Sequence, residues 1–319
     1  MAAHPVPQTV AQAPPRALRA VLLDEGRLES RLSPPDGADL VIYYTAEQQG
    51  ALGPCGCPTR PRGGLARMAS YMEASRTVQP NPPTIVVNSG YWLEDAVGID
   101  GNQRADVPIL NHWMIQGQTA LQPDALNLST HDLAGISGQG GTPTGLAVVS
   151  ANISGPGIVA VRMVERGGLK IAIIGISAPG VTLLPTPDYT VTDPYKAARA
   201  ALEGVEADLV VLLSYQARAA AKRLAEDGLV DVVVDTHRHR TLDEPARVGS
   251  AIWVRAHFQG LRLGELRLGL DQGAIQWAVD RKIDMDVAVG EQAEQALIYR
   301  GAKKALREIE KQLYGRPRR

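Results

Sequence analysis

The sequence predicts an α/β protein in which β-loop-α units surround a block of antiparallel strands, a pattern satisfied by two stacked mixed sheets with helices outside. Three observations carry this expectation. Short apolar runs of strand length recur along the chain, segments of helical period fall between them, and the middle of the chain sets its apolar runs between Gly-rich turns. Periodicity alone is equally compatible with a plain doubly wound sheet.

Leu40-Val41-Ile42-Tyr43-Tyr44 reads as a buried strand, and after a Gly/Pro/Cys loop the stretch Gly64 to Arg76 places Leu65, Met68 and Met72 on one helical face. Thr84 to Asn88 is a second strand and Ala125 to Leu128 a short third. Gly145 to Ile153, Gly157 to Val164 and Leu169 to Ile176, separated by turns such as Gly167-Gly168, read as hairpin-connected strands, and Pro179 to Pro194 as a long surface loop. Alternation resumes with a helix from Pro194 to Glu203, a strand Asp208 to Leu213, a helix Gln216 to Asp227 and a strand Val230 to Asp235. Three β runs follow around Ile252, Leu263 and Ile275, and Glu291 to Tyr314 has the spacing of a terminal helix. The expected partition is an extended N-terminal segment 1–38, one domain 39–285, and a C-terminal helix with a basic tail 286–319.

Composition narrows the function classes. In 319 residues, 45% apolar and 21% charged, there is enough apolar material for a full core. Lys plus Arg (33) nearly balances Asp plus Glu (34), so nothing in the charge draws the chain to nucleic acid or an anionic membrane, and Arg316-Pro317-Arg318-Arg319 reads as a solvated tail. No apolar run approaches the roughly 18–20 residues of a membrane span. Met1 to Arg19 shows no apolar stretch of the kind found in secretory signals. Both cysteines, Cys55 and Cys57, fall in one loop, too close to staple distant segments.

In open α/β sheets ligands collect beyond the carboxyl ends of strands. The loops to read are therefore Glu47 to Gly50, Gly90-Tyr91, Thr130-His131-Asp132, Ser214-Tyr215 and Thr236-His237-Arg238-His239. In order and content they resemble the blocks of the 5′-nucleotidase branch of the calcineurin-like metallophosphoesterases, from about Leu40 to Asp271. Tyr44 to Gly50 resembles a strand ending in Asp-x-His-Gly, and Gly63-Gly64-Leu65-Ala66-Arg67 the Gly-Gly-x-Ala-Arg start of the next helix. Val86 to Tyr91 resembles the block ending Gly-Asp, and Asp124 to Asp132 the one containing Gly-Asn-His-Glu. Val211 to Tyr215 is similar to a strand ending in Ser-His, and Asp235 to His239 to a Gly-His-x-His block. The resemblance implies a four-layer α/β/β/α sandwich of two mixed sheets.

That family's chemistry needs two divalent cations held close together, to polarise a phosphoryl group and generate hydroxide. By the resemblance, its first Asp and His correspond to Glu47 and Gln49, the Asp shared by both metals to Tyr91, the Asn to Thr130 and a later His to Tyr215. His237 and His239 keep the ligand type, and His131 matches the histidine beside the substrate. A neutral tyrosine for a bridging carboxylate removes charge that two adjacent cations require. The expectation is therefore no dinuclear site, and at most one zinc or manganese on Glu47, His237 and His239, with His257 as a further candidate ligand. The bland reading of the two histidines, as inherited surface groups, stands beside this, as does a structural role for His131.

Gly53-Pro54-Cys55-Gly56-Cys57-Pro58 forms the second constellation. Cys-x-Cys brings two thiols close enough to share a soft metal ion or to form a strained disulfide, with Gly56 supplying backbone freedom. Arg60, Arg62, Arg67 and the amino end of the helix near Gly64 would favour thiolate. The alternative is a rigid Pro/Gly loop that merely tolerates its cysteines. A group of bacterial 5′-nucleotidase-like proteins that the chain resembles carries a similar loop, with selenocysteine in some members, which implies redox chemistry and export to an oxidising compartment such as the periplasm. The leading expectation is thus a degenerate phosphoesterase domain using Cys55 and Cys57, with His131 as the remaining catalytic candidate, in thiol exchange with a redox or protein partner. An active metal-dependent phosphoester hydrolase and a non-catalytic binding or assembly module are the alternatives. Gly138-Gln139-Gly140-Gly141 lacks the context of a phosphate loop, and Ser214 has no nucleophile elbow.

Overall fold

The structure, a computed structural model, describes residues 28–55, 57, 59–77, 82–97, 103–180, 186–236 and 245–315. Along the chain, β1 (Leu40–Thr45) leads through the cysteine loop to α1 (Leu65–Ser75), β2 (Thr84–Asn88) to α2 (Val107–Leu121), and β3 (Ala125–Asn127) to α3 (Asp132–Gly138). The two-residue strands β4 (Val148–Val149) and β5 (Ile153–Ser154) precede the hairpin of β6 (Val161–Arg166) and β7 (Leu169–Ser177). β8 (Thr190–Val191), α4 (Pro194–Leu202), β9 (Leu209–Tyr215), α5 (Arg218–Glu226) and β10 (Val232–Asp235) come next. Then follow β11 (Ala246–Val248), β12 (Ala251–Arg255), β13 (Arg262–Asp271), β14 (Ala274–Asp284) and α6 (Ala293–Tyr314).

These strands form two six-stranded sheets, in the orders β14-β13-β1-β2-β3-β4 and β11-β12-β10-β9-β7-β6. In the first, β1 to β4 run parallel and β13 lies antiparallel between β1 and β14. In the second, β7, β9, β10 and β12 run parallel between antiparallel edges β6 and β11. β1 is buried along its whole length because its alternate residues serve two cores. Leu40, Ile42 and Tyr44 face the second sheet, against residues such as Ile173, Leu213 and Val234. Val41 and Tyr43 face Leu65, Met68, Tyr71, Met114 and Leu133 of α1, α2 and α3, with Ala302 of α6 in the same cluster. Ala198, Ala221 and Leu224 of α4 and α5 cover the far side of the second sheet. The layers are therefore helix, sheet, sheet, helix, and the four-layer expectation holds. No helix among the described residues is long and apolar enough to cross a membrane.

Two local expectations need correction. Gly145 to Ile153 does not join a hairpin: Val148 and Val149 extend the first sheet parallel to β3, and Ile153-Ser154 pairs with Val191-Thr190, inside the stretch expected to be loop. Strands this short carry no period by which to recognise them. Helix α2 went unread because part of the face it buries is polar. Asn111 and Gln118 are each 1% exposed, and Asn111 trades hydrogen bonds with the backbone of Glu94 through Oδ1 (2.8 Å) and Nδ2 (3.0 Å).

The segment just before β1 is bound to the first sheet through charge. Glu265 on β13 is fully buried; its carboxylate accepts from Ser33 Oγ (2.5 Å), Tyr71 Oη (2.5 Å) and Arg267 Nη1 (3.2 Å), with Arg281 Nη1 at 3.9 Å. Arg267 also grips Asp36 in bidentate fashion, at 2.7 and 2.6 Å. Burial alone would raise the Asp36 carboxyl, but the hydrogen bonds and charge of Arg267 hold it below the ordinary value. A depressed folded pKa gives stability that is present above the unfolded pKa and is lost as pH falls through the folded one. Asp36→Asn should therefore flatten the loss of stability between about pH 5 and about pH 2, measured by urea unfolding at each pH.

Candidate functional site

At one end of the sandwich the carboxyl ends of β1, β2, β3, β9 and β10 are tied together by the backbone. Glu47 N–H donates to Gly90 O (2.9 Å), Gln49 N–H to Tyr91 O (3.1 Å) and Gly50 N–H to Trp92 O (3.1 Å). Ser89 Oγ donates across the sheets to Val234 O (2.6 Å), and Asn127 Nδ2 lies 3.0, 2.9 and 3.3 Å from the carbonyls of Ser89, Ile176 and Leu213. Asn127 is fully buried, so one amide from β3 joins three strand ends in two sheets. Backbone strain gathers here too. Glu47, Gln49, Tyr91, Gln216 and Gln259 all have φ between 48° and 58°, a region that few non-glycine residues occupy.

The bend at Tyr91 is locked by Asp132, at the start of α3. Its carboxylate accepts from Tyr91 N (2.9 Å), Leu93 N (2.9 Å), Ser129 N (2.9 Å) and Ser129 Oγ (2.6 Å). Burial pushes this carboxyl up, and the donors oppose the shift.

The bend aims the Tyr91 ring at two other aromatic rings. It stacks on His131 with centroids 4.4 Å apart and planes 22° from parallel. Tyr215 meets both edge-on, at 5.9 Å from each. Asp95 spans the pair: Oδ2 accepts from Tyr91 Oη (2.6 Å), and Oδ1 lies 3.2 Å from His131 Nδ1. Tyr215 Oη accepts from Gln216 Nε2 (3.0 Å). Burial, then the hydrogen bond and charge of Asp95, push the Tyr91 phenol well above its ordinary range, so it stays neutral.

Of the expected site residues, Glu47 is 3% exposed and its carbonyl accepts from Gln259 N–H (2.7 Å), while His131 joins the aromatic cluster. His237 and His239 lie outside the described residues. His257 stacks on Phe258, with Nδ1 3.2 Å from the Phe258 carbonyl. Among the described residues no three His, Cys, Asp or Glu side chains gather as a metal-binding group. Two cations side by side need anionic oxygen between them. Tyr91, a neutral phenol donating to Asp95, does not supply it, and the Tyr215 phenol accepts from Gln216.

The cysteine loop leaves this end from Gly50 and closes on itself. Leu65 N–H donates to Leu52 O (3.0 Å) and Cys55 N–H to Arg62 O (2.7 Å), while Arg62 N–H donates to Cys55 Sγ (3.3 Å). Cys55 thus stands at the neck, half-buried, and Cys57 is exposed. Both are free thiols. Cys57 Sγ lies 3.6 Å from Thr59 Oγ1, and this contact, the Arg60 and Thr59 backbone N–H groups and the charge of Arg60 lower its pKa. The other two arginines are committed elsewhere. Arg67 donates to the carbonyls of Pro61 (2.7 Å) and Met285 (3.0 Å), and Arg62 pairs with Asp284 at 3.6 Å. Gly53 is required because the Tyr299 ring of α6 lies where a Cβ would stand, 2.0 Å from that position.

Asp95, Gln216 and Tyr299 were not anticipated as site residues. A carboxylate four residues after Tyr91 was the one signal available for Asp95.

No family model and no curated protein matches the sequence. Solved structures do match. A 5′-nucleotidase precursor from Thermus thermophilus is similar at TM-score 0.66 and 19% identity, over 85% of this chain and 58% of that one. The sulfate thiohydrolase SoxB of Thermus thermophilus is similar at 0.69 and 15%, over 86% and 62%. The calcineurin-like phosphoesterase YfkN from Bacillus subtilis gives 0.61 and 18%, over 85% and 99%. The fold is that of the metallophosphoesterases. The chain spans 58% and 62% of the lengths of the first two of these structures.

Proposed function

We propose that this chain is a metallophosphoesterase-like domain of the Cys-x-Cys type that has given up dinuclear phosphate hydrolysis and uses Cys55 and Cys57 for thiol–disulfide exchange. The observation behind this reading is the closed loop, which fixes one free thiol at its neck by backbone hydrogen bonds and exposes the other beside thiolate-favouring groups. Cys57 is the nucleophile. Its thiolate attacks a disulfide, one sulfur leaves as a thiolate, and Cys55 then attacks Cys57 to release the second sulfur and leave the pair oxidised. The neutral Tyr91, and Tyr215, at positions where the resemblance implies metal ligands, support the loss of a two-metal mechanism. Exchange of this kind fits an exported protein in an oxidising compartment such as the periplasm, acting on a redox partner.

The test uses fully reduced protein and a small neutral disulfide, bis(2-hydroxyethyl) disulfide. We expect one intramolecular disulfide per chain by mass spectrometry and a stable mixed disulfide on Cys57 in the Cys55→Ser variant. Because the Cys57 pKa is lowered, the rate should rise with pH around a midpoint below the ordinary thiol value. A chelator should leave it unchanged. Thiols no faster than those of the urea-unfolded chain would rule out the reading. Phosphoester turnover that stops with a chelator and with His239→Ala would favour the hydrolase instead.

A further inference from the structure

The balanced charge of the whole chain conceals an uneven distribution. Residues 300–319 hold eight Lys and Arg against two Glu, a surplus of six, in a chain whose net charge is -1. Five of these bases stand on α6, where Arg300, Lys303, Lys304, Arg307 and Lys311 are all exposed. At about 3.6 residues per turn they fall within an arc of roughly 100° and span about 16 Å of helix. On the opposite side Ile298 and Ala302 join the core under the helix. On one flank Tyr299, Lys303 and Leu306 line a cavity of about 400 Å³ with Leu52 and Cys55 of the cysteine loop. Acidic groups do not cancel the basic row: Glu308 pairs with Lys311 at 2.8 Å, Glu310 is half-buried beside it, and Glu294 lies in the first turn. Two large apolar side chains stand at its amino end. Leu297, on the same side of α6, is 62% exposed, and Val287, in the turn Val287–Val289 just before the helix, is 69% exposed. These are the two highest values among the described large apolar residues. Bases in a row with apolar side chains at one end match a lipid surface, which offers phosphates and an acyl boundary together. A nucleic acid would engage the bases and leave Leu297 and Val287 in water.

We propose that the outer face of α6 docks the protein on an anionic lipid bilayer, with Arg300, Lys304, Arg307 and Lys311 against lipid phosphates and Leu297 and Val287 entering the headgroup layer. The helix lies on the surface and keeps its packed face on the protein. No thiol takes part, so the inference is independent of the exchange reading, and it sets the cysteine loop, on the flank of α6, beside the lipid. Each Lys or Arg held at an anionic surface strengthens partitioning about fivefold, and the attraction fades over a Debye length, about 8 Å at physiological salt.

The probes are vesicles of phosphatidylglycerol and phosphatidylcholine in equal parts and vesicles of phosphatidylcholine alone, sedimented with the full reduced chain. Partitioning to the mixed vesicles should exceed that to phosphatidylcholine by more than about twentyfold at about 0.05 M salt, and the excess should vanish near about 0.5 M. Lys304→Glu with Arg307→Glu should lower it at least about twentyfold, and Leu297→Asn about fivefold. Both variants change exposed side chains only, so the fold is kept. No binding to the mixed vesicles, or equal binding to both kinds, would overturn the proposal. So would loss of binding on Arg316→Ser, Arg318→Ser and Arg319→Ser together while the Lys304 and Arg307 variant binds as wild type does, which would assign the attraction to the tail. A short DNA duplex tests the other polyanion: tighter binding to DNA than to vesicles, with Leu297→Asn moving neither, would make the face a nucleic-acid surface and remove the lipid. The chain carrying Cys55→Ser and Cys57→Ser should bind the vesicles as wild type does, so a failure of the exchange reading leaves this one standing.

Discussion

Glu265→Ala is expected to cost about 3–5 kcal/mol of unfolding free energy, the usual penalty for breaking a buried charge pair from one side. The carboxylate is fully buried and takes hydrogen bonds from Ser33, Tyr71 and Arg267. Its loss removes the charge facing Arg281, which keeps Ser33 Oγ and the Arg31 carbonyl, and leaves Tyr71 Oη only its longer bond to Arg31 O (3.2 Å). Arg267 keeps Asp36, so the damage should fall mainly on the junction of the 28–38 segment, α1 and the β13–β14 pair. Urea unfolding measures the total. An unchanged midpoint would mean that the network is not formed in solution. Glu308→Ala, which removes an exposed partner of Lys311, is the control and should leave the midpoint where it was.

Asp132→Ala is the second large effect. It removes the acceptor of three backbone N–H groups, at Tyr91, Leu93 and Ser129, and each buried donor left unsatisfied costs about 1–3 kcal/mol. A total above about 3 kcal/mol follows, since some relaxation is available to the loop. Asp132→Asn should cost less: its carbonyl can keep the Oδ2 set, but its amide meets the Leu93 N–H donor to donor. A spectroscopic signature separates this clamp from a generic core residue. His131 ring protons lie against the Tyr91 ring, with centroids 4.4 Å apart, and are shifted by its ring current. In Asp132→Ala they should move toward ordinary imidazole positions even under conditions where the chain stays folded. Unmoved resonances would show that Tyr91 is held by something else.

These two carboxylates also show what sequence reasoning reaches. The strand ends were legible because each apolar run gives way at once to polar or small residues, and β1 announced its burial by five consecutive large apolar or aromatic residues. The cysteine pair was legible as a motif. The walls around it were not: α6 could be recognised from its spacing, yet nothing local in Tyr299 or Lys303 says that they stand over residues 53 to 55. Asp132 fell inside a recognised block, but its role as a clamp depends on the fold of residues 90–93. That tyrosines stand at 91 and 215, where the resemblance implies metal ligands, could be read directly. Their closure into a stacked cluster with His131, bridged by Asp95, depends on a left-handed bend that composition does not encode.

The seat of Tyr299 against Gly53 has a consequence in time as well as in space. The two residues lie far apart in the sequence, and synthesis runs at about 5–20 residues per second, so tens of seconds pass between the emergence of the cysteine loop and the arrival of the helix that walls it. During that interval both thiols are present without their cavity, available to any oxidant. The cavity beside the loop is complete only when α6 docks, so the order of synthesis presents the thiols first and their wall last.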